Sequence, residues 1–421
     1  MFRRPPIFYG WYIVIVAIIG MGLLYGVRNS FSVFFQYIIN DFGWNRGSTS
    51  IMLSLNILVY GLMAPVSGVL ADRWRPRRVI FIGLAIMSLA TAACAWAQEL
   101  WHFYVLFGIL SSIGTALCGS PLFYPALANW FTRKRELAIG LAQIGGGLSF
   151  AYSIVNEALV SHVGWRYAYL VLAGILLAVL LPLYFFFFHS HPEEKGMTAF
   201  GTTGFEKAGE VNPVEKRVTR DWTLGAALRT YQLWLLVLSN FFFWGVGNYL
   251  VLAHQIKFTG DVGYSSMFAA SVFALFGIAA IAGQVCAPLS RRIGREQTVT
   301  LSSALSIGAL LALLSVKDTS QPWLLYVYAI CSGYASGLFS PTIVVGVADL
   351  FYGKSYGAIT AMLLTGMGVG GAIGPWLGGY IYDIWYSYDI AFYICIACFA
   401  LSCICFWIAA PRRAAMMRVK T

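Results

Sequence analysis

The chain has 421 residues, of which 59% are hydrophobic and only 11% charged, against roughly 25% charged in ordinary soluble domains. With a mean hydropathy of +0.73, this composition excludes a soluble globular enzyme, a disordered tail protein and a disulfide-stapled secreted domain. The net charge of +11 would suggest nucleic acid in a soluble protein; here the basic residues sit in short loops between apolar runs, so no nucleic-acid partner is expected.

A bilayer-spanning helix uses about 20 apolar residues, and the chain offers twelve such runs. In order they are 9–38, 49–71, 79–97, 101–129, 137–162, 166–188, 230–258, 265–290, 298–316, 322–349, 357–384 and 388–410. The first run, from Trp11, is too long for a signal-peptide core and has no small-residue cleavage site. Six runs precede a polar stretch and six follow it. The expected fold class is therefore an all-α membrane protein with an N-terminal six-helix bundle (1–188), a linker on the cytoplasmic side (189–229), a C-terminal six-helix bundle (230–410) and a basic tail (411–421). The linker holds six Lys/Arg and six Asp/Glu with scattered Gly and Pro, which reads as irregular chain.

Orientation follows from the bias of Lys and Arg toward the cytoplasmic side. With both termini inside, the inner segments carry 23 basic residues and the outer loops carry four: Arg46, Arg166, Lys257 and Lys317. The expected location is multi-pass in the plasma membrane, a bacterial inner membrane, with both ends cytoplasmic. The eight cysteines all fall in apolar runs, and the C-I-A-C and C-I-C pieces from Cys395 to Cys405 have no His or carboxylate beside them to complete a metal set. They read as packing residues, with no metal or cofactor expected.

The two halves repeat one another. Y-G-V-R-N-S-F-S-V-F-F-Q from Tyr25 matches W-G-V-G-N-Y-L-V-L-A-H-Q from Trp244 at an offset of 219, pairing Gly26, Val27, Asn29 and Gln36 with Gly245, Val246, Asn248 and Gln255. Gly145 and Gly147 match Gly366 and Gly368 at an offset of 221. Both copies keep the same inside/outside sense, as in a parallel repeat about an axis along the membrane normal.

These residues carry a family resemblance. The chain resembles a twelve-helix major facilitator superfamily transporter over nearly its whole length, and G-V-L-A-D-R-W-R-P-R-R from Gly68 is similar to that family's signature loop. Within the superfamily it resembles the monocarboxylate transporter and oxalate/formate exchanger branch, through V-F-F-Q-Y-I-I-N-D-F-G-W-N-R, W-F-T-R-K-R-E-L-A-I-G, G-W-R-Y-A-Y and G-G-A-I-G-P-W-L-G-G-Y-I-Y-D. The resemblance implies two pseudo-symmetric bundles around one central site lined by helices 1, 4, 7 and 10, and a gating role for Asp72 and Arg73. In the second copy Arg291 stands opposite Asp72, so the acid is absent there. The branch also implies an acid and an Arg four residues apart in helix 8; Ala280 and Gln284 fall at those places, so the usual proton-coupling pair is missing.

Arg28 is the informative residue. It lies about four residues past the midpoint of the first run, roughly 6 Å along a helix axis, and a guanidinium near mid-membrane costs roughly 2.5–3.5 kcal/mol on insertion scales. Facing a watered cavity removes much of that cost, and the planar fork grips a carboxylate with two hydrogen bonds; the competing reading is snorkelling to the surface. Asn29 and Asn248 are symmetry mates that either contact a ligand or join helices. His254, seven residues past the mate of Arg28, either relays a proton or bonds a backbone carbonyl near the outer end. Tyr124, Gln284 and Tyr334 complete the substrate-binding candidates.

The expected function is secondary transport of a small organic anion, a monocarboxylate such as lactate or pyruvate, by alternating access. Protons are a candidate co-substrate, the bilayer is the solvent, and the chain is expected to work as a monomer. The alternatives are anion exchange, efflux of a lipophilic compound and a membrane sensor. No nucleotide loop or nucleophile/base constellation points to an enzyme.

Overall fold

Each long apolar run folds as a helix, the one conformation that satisfies its own backbone hydrogen bonds in lipid without a closed barrel. The computed structural model describes residues 8–131, 135–201, 222–286, 289–351 and 356–409, with all side chains in these segments except those of Asp72, Arg135, Glu136 and Arg291. The middle of the linker and the basic tail lie outside the described residues.

Among the described residues, eleven continuous helices are long and apolar enough to cross a membrane. The longest, Leu137–Phe187, has 51 residues and turns at Gly164, whose φ of 79° only glycine adopts without strain; it therefore makes two crossings, and the total is twelve. We number them α1 (Gly10–Phe42), α2 (Arg46–Ala71), α3 (Pro76–Trp96), α4 (Leu100–Trp130), α5 (137–163), α6 (165–187), α7 (Tyr231–Asp261), α8 (Ser266–Val285), α9 (Arg295–Leu314), α10 (Pro322–Phe351), α11 (Tyr356–Trp385) and α12 (Asp389–Ala409). The chain is a multi-pass, all-helical membrane protein. Among the described residues the β-structure is confined to one isolated bridge between Phe131 and Phe200.

Two boundaries differ from the sequence reading by four residues or more. The first helix runs to Phe42 and stops where Gly43 enters the left-handed region at φ 69° and donates to the Ile39 carbonyl at 2.8 Å, a glycine C-cap. This moves the midpoint of α1 to residue 26 and brings Arg28 within about 3 Å of it along the axis. The eighth helix ends at Val285 instead of near 290, shortly before Pro288, which cannot donate to a helix.

The internal repeat is visible in packing. A Cβ on Gly145 of α5 would strike the backbone of Ile18 in α1; one on Gly366 of α11 would lie 2.6 Å from the Val237 side chain in α7. Ile18 and Val237 are 219 residues apart. Two residues further on, Gly147 packs on Gly277 of α8, and Gly368 packs on Gly61 of α2, where an added Cβ would lie 3.0 Å from the Gly61 Cα. Small residues let the backbones approach this closely.

Two glycine-lined seams thus join the first six helices to the last six, α2 against α11 and α5 against α8, and the distal half of α1 also packs on α7. Among the described residues, the side-chain hydrogen bonds that cross between the two sets lie toward the face opposite the chain termini, here called the distal face. They include Ser32 to the Leu252 carbonyl (2.6 Å), Ser153 to the Ala270 carbonyl (2.7 Å) and the Trp376 N–H to Ser54 (3.2 Å). Toward the other face Leu62, Val66 and Val69 of α2 are about half exposed.

Candidate functional site

The centre of the bundle is organised by Arg28. Its side chain is buried, and the guanidinium carbon lies 4.5 Å from the Tyr25 ring centroid and 5.3 Å from that of Tyr60. Tyr25 precedes Arg28 by three residues, so the two share a helix face; Tyr60 comes from α2. Both hydroxyls converge on Ser120, with Tyr25 to Tyr60 at 2.9 Å and each to Ser120 at 2.8 Å. Ser120 is available because α4 is interrupted at Gly119 (φ −107°, ψ −148°). From the other set of helices, Tyr249 of α7 lies within electrostatic reach of Arg28. Trp244 stands 6.0 Å from Tyr249, ring to ring, and donates its indole N–H to Ser340 of α10 at 2.9 Å.

Nothing among the described residues neutralises Arg28 with an anion. Its Nε and Nη1 are buried and have no hydrogen-bond partner. Ring faces attract a desolvated cation by about 2 kcal/mol, against several kcal/mol for withdrawing an ion from water. The balance leaves a cation with free donors at the middle of the membrane, an arrangement suited to receive a carboxylate.

The other sequence candidates divide into three groups. Tyr124 is half-buried, one turn from Ser120 and within electrostatic reach of Tyr25. Gly283 of α8 packs on the Tyr334 backbone of α10; Tyr334 is within hydrogen-bonding reach of Cys286, and the Oε1 of the adjacent Gln284 is buried without a partner among the described residues. No described hydrogen bond or ring contact joins these two to Arg28.

Asn29 and Asn248 have their amides engaged within the bundle. Asn29 donates to Ser149 of α5 at 2.8 Å. Asn248 ends a π-helical stretch, Phe241–Asn248, donates to the Phe243 carbonyl at 2.9 Å and accepts from Ser336 of α10 at 3.0 Å. Such π-turns strand a carbonyl, and the Asn248 amide satisfies it.

His254 belongs to a separate cluster at the distal face. Its Nε2 lies 2.8 Å from the Pro375 carbonyl, which can only accept, so Nε2 carries the proton and Nδ1 accepts from the Tyr388 hydroxyl at 3.3 Å. Tyr388 in turn accepts from Arg46 Nη1 at 2.8 Å. Arg46 is the hub: it pairs with Asp261 at 2.5 Å and stacks on Tyr382 at 3.5 Å. The Arg46 and Gly47 backbone N–H groups donate to the Asp383 carboxylate. Arg46 belongs to the first six helices, and all these partners to the last six. Sequence reasoning counted Arg46 only as an outer-loop charge. Opposite charges at the adjoining ends of α2, α7 and α11 were the signal that could have found this cluster. At the other face Arg73 is exposed at the end of its helix, and the Asp72 side chain lies outside the described residues.

A family profile described as Major Facilitator Superfamily matches residues 17–330 and 284–419. Monocarboxylate transporter 13 of Bos taurus is 27% identical over 403 residues, covering 92% of this chain and 86% of the relative. Monocarboxylate transporter 11 of Homo sapiens is 28% identical over 392 residues, covering 89% and 77%. Among solved structures, a bacterial homolog of the human lysosomal transporter Spinster, in an inward-facing and unoccupied conformation, aligns over 99% of both chains with a TM-score of 0.68 at 17% identity.

Proposed function

The chain belongs to the Major Facilitator Superfamily, and from that premise we propose that it carries a small organic anion, in the first instance a monocarboxylate, across a plasma membrane by alternating access. It is a transporter and not an enzyme, since its family and relatives are transporters. The observation that carries the substrate class is Arg28, buried at mid-membrane with Nε and Nη1 free. A carboxylate can accept from such unpaired donors, and the rings of Tyr25 and Tyr60, nearly perpendicular to each other, pack beside the guanidinium and fix its place.

In this reading the bundles 1–188 and 230–410 rock about the central site, joined by the linker 189–229, with the termini and the 411–421 tail on the cytoplasmic side. The distal face is then the outside. The Arg46 cluster closes it, which matches the inward-facing state named for the structural neighbour. Asp72 and Arg73 hold the cytoplasmic face when the bundles rock the other way. Tyr124 shares the wall around Arg28, while Gln284 and Tyr334 meet the bound molecule from α8 and α10. Asn29 and Asn248 act as helix fasteners and His254 as part of the outer closure. The monomer is the working unit.

Anion exchange is the second reading, favoured by the uncharged residues Ala280 and Gln284 in α8. Counterflow in proteoliposomes separates it from proton symport.

The test is a thermal-shift screen of the purified chain against small mono- and dicarboxylates. A ligand at about 100 times its Kd raises stability by roughly 2.7 kcal/mol. Stabilisation by a monocarboxylate is the expected result. Stabilisation only by cationic or neutral lipophilic compounds would refute the anion reading.

A further inference from the structure

α5 carries a carboxyl group that the anion site does not use. Glu157 is 3% exposed. Tyr37, near the distal end of α1, donates to its Oε1 at 2.6 Å, and Oε2 is buried with no hydrogen-bond partner. Tyr37 is also within hydrogen-bonding reach of Ser266 at the start of α8, and one turn along α5 Ser153 bonds the Ala270 carbonyl. Glu157 is thus sealed by the α5–α8 seam that joins the two sets of helices at the distal face.

The surrounding elements bring it no cation. α8 has no charged residue, and the basic residues of α3, Arg77 and Arg78, stand at its opposite end. On α1, Arg28 faces Tyr25 and Tyr60, and Asp41 is 3.8 Å from Arg166. At the α5–α6 corner the His162 ring bonds the Ala158 carbonyl. On α7, Lys257 pairs with Asp261 at 3.1 Å. Among the described residues, the one titratable group bonded to Glu157 is the Tyr37 phenol. A carboxylate held by a single neutral donor in a dry seam is costly, whereas the neutral acid is far less so.

We propose that Glu157 is a proton-binding site linked to closure of the distal face: its carboxylate takes a proton from hydronium as the α5–α8 seam closes and returns it to water as the seam opens. No other bond is made or broken. Because proton binding and closure are reciprocal, acid favours the distal-closed form and alkali the open one. The inference concerns the gate and stands apart from which anion is carried.

The test uses the full chain in lipid nanodiscs without substrate. Spin labels on azide-bearing residues placed at Gln98 and Ser320, both exposed in distal loops of opposite sets, report opening by pulsed electron resonance. From about pH 8 to about pH 5.5 the closed-to-open ratio should rise about tenfold, within the usual span of linkage effects. Glu157→Gln, neutral at every pH, should hold the ratio at its acid value. Tyr37→Phe removes the donor that favours the ionised form, so its transition should move to higher pH. A ratio independent of pH in the native chain, or a full response retained in Glu157→Gln, would overturn the proposal.

Discussion

Asp383 of α11 caps the first turn of α2 across the boundary between the two sets of helices, accepting from the Arg46 N–H at 3.0 Å and the Gly47 N–H at 2.7 Å. The first turn of a helix has unpaired N–H groups and a positive dipole end. Asn45 at the N-cap accepts from the Ser48 N–H at 2.9 Å, but α2 has no acidic residue in that turn and begins with an arginine, so its own cap supplies no negative charge and leaves the Arg46 and Gly47 N–H groups to Asp383. With the distal face closed, Asp383 supplies the anion.

Asp383→Asn is therefore expected to favour distal opening. The amide keeps one acceptor oxygen and loses the charge, a change worth about 1–2 kcal/mol at a helix start, or roughly 5- to 30-fold in the closed-to-open ratio. The distal label pair reads it directly. A closed fraction equal to that of the native chain would show that the cap does not hold the gate.

Gly366 and Gly368 lie two residues apart on α11 and separate folding from gating. Gly366 packs on Val237 within the same set of helices, and Gly368 on Gly61 in the other set. Gly366→Val should lower thermal stability by about 1–3 kcal/mol through overpacking. Gly368→Val should instead disfavour distal closure, with a smaller loss of melting temperature. Equal melting shifts for the two variants would contradict the assignment of the second contact to a separable seam.

Much of the fold was legible because lipid makes period and length decisive: an apolar run of about 20 residues has one way to satisfy its backbone. The nearly constant offset of 219 to 221 carried the repeat, and the Ile18 and Val237 contacts show the same correspondence in packing. Arg28 stood out for a similar reason, since charge at mid-membrane needs a cause. What surrounds it was harder to read. Tyr60 reaches Tyr25 through the packing of α2 on α1 and Ser120 through the break at Gly119, and hydropathy carries neither. His254 shares a helical face with the mate of Arg28, yet it stands about 10 Å further along the axis at 1.5 Å per residue, far enough to meet Tyr388.

Asn248 distinguishes a fastener from a ligand contact. Asn248→Ala leaves the Phe243 carbonyl and the Ser336 hydroxyl without their partner, at a cost of about 1–3 kcal/mol for stranded buried groups. The expected result is a lower melting temperature with ligand affinity unchanged. Affinity lost at constant melting temperature would instead make the amide a substrate contact.

The anion anchor gives the strictest outcome. With Arg28→Ala, a carboxylate entering the site must shed water without gaining a cation, and truncating one partner of a buried charge pair typically costs about 2–5 kcal/mol. Binding in a titration should fall by roughly 30-fold or more. Arg28→Lys keeps the charge and loses the planar fork, so its affinity should lie between those of the native chain and the alanine variant. The rings of Tyr25 and Tyr60 provide the control for geometry: Tyr60→Phe retains the face beneath the guanidinium but removes one hydroxyl from the group on Ser120, and should weaken binding far less than Arg28→Ala. Unchanged affinity in Arg28→Ala for a carboxylate that stabilises the native chain would move the anion elsewhere in the bundle and leave Arg28 as a cation held by tyrosines alone.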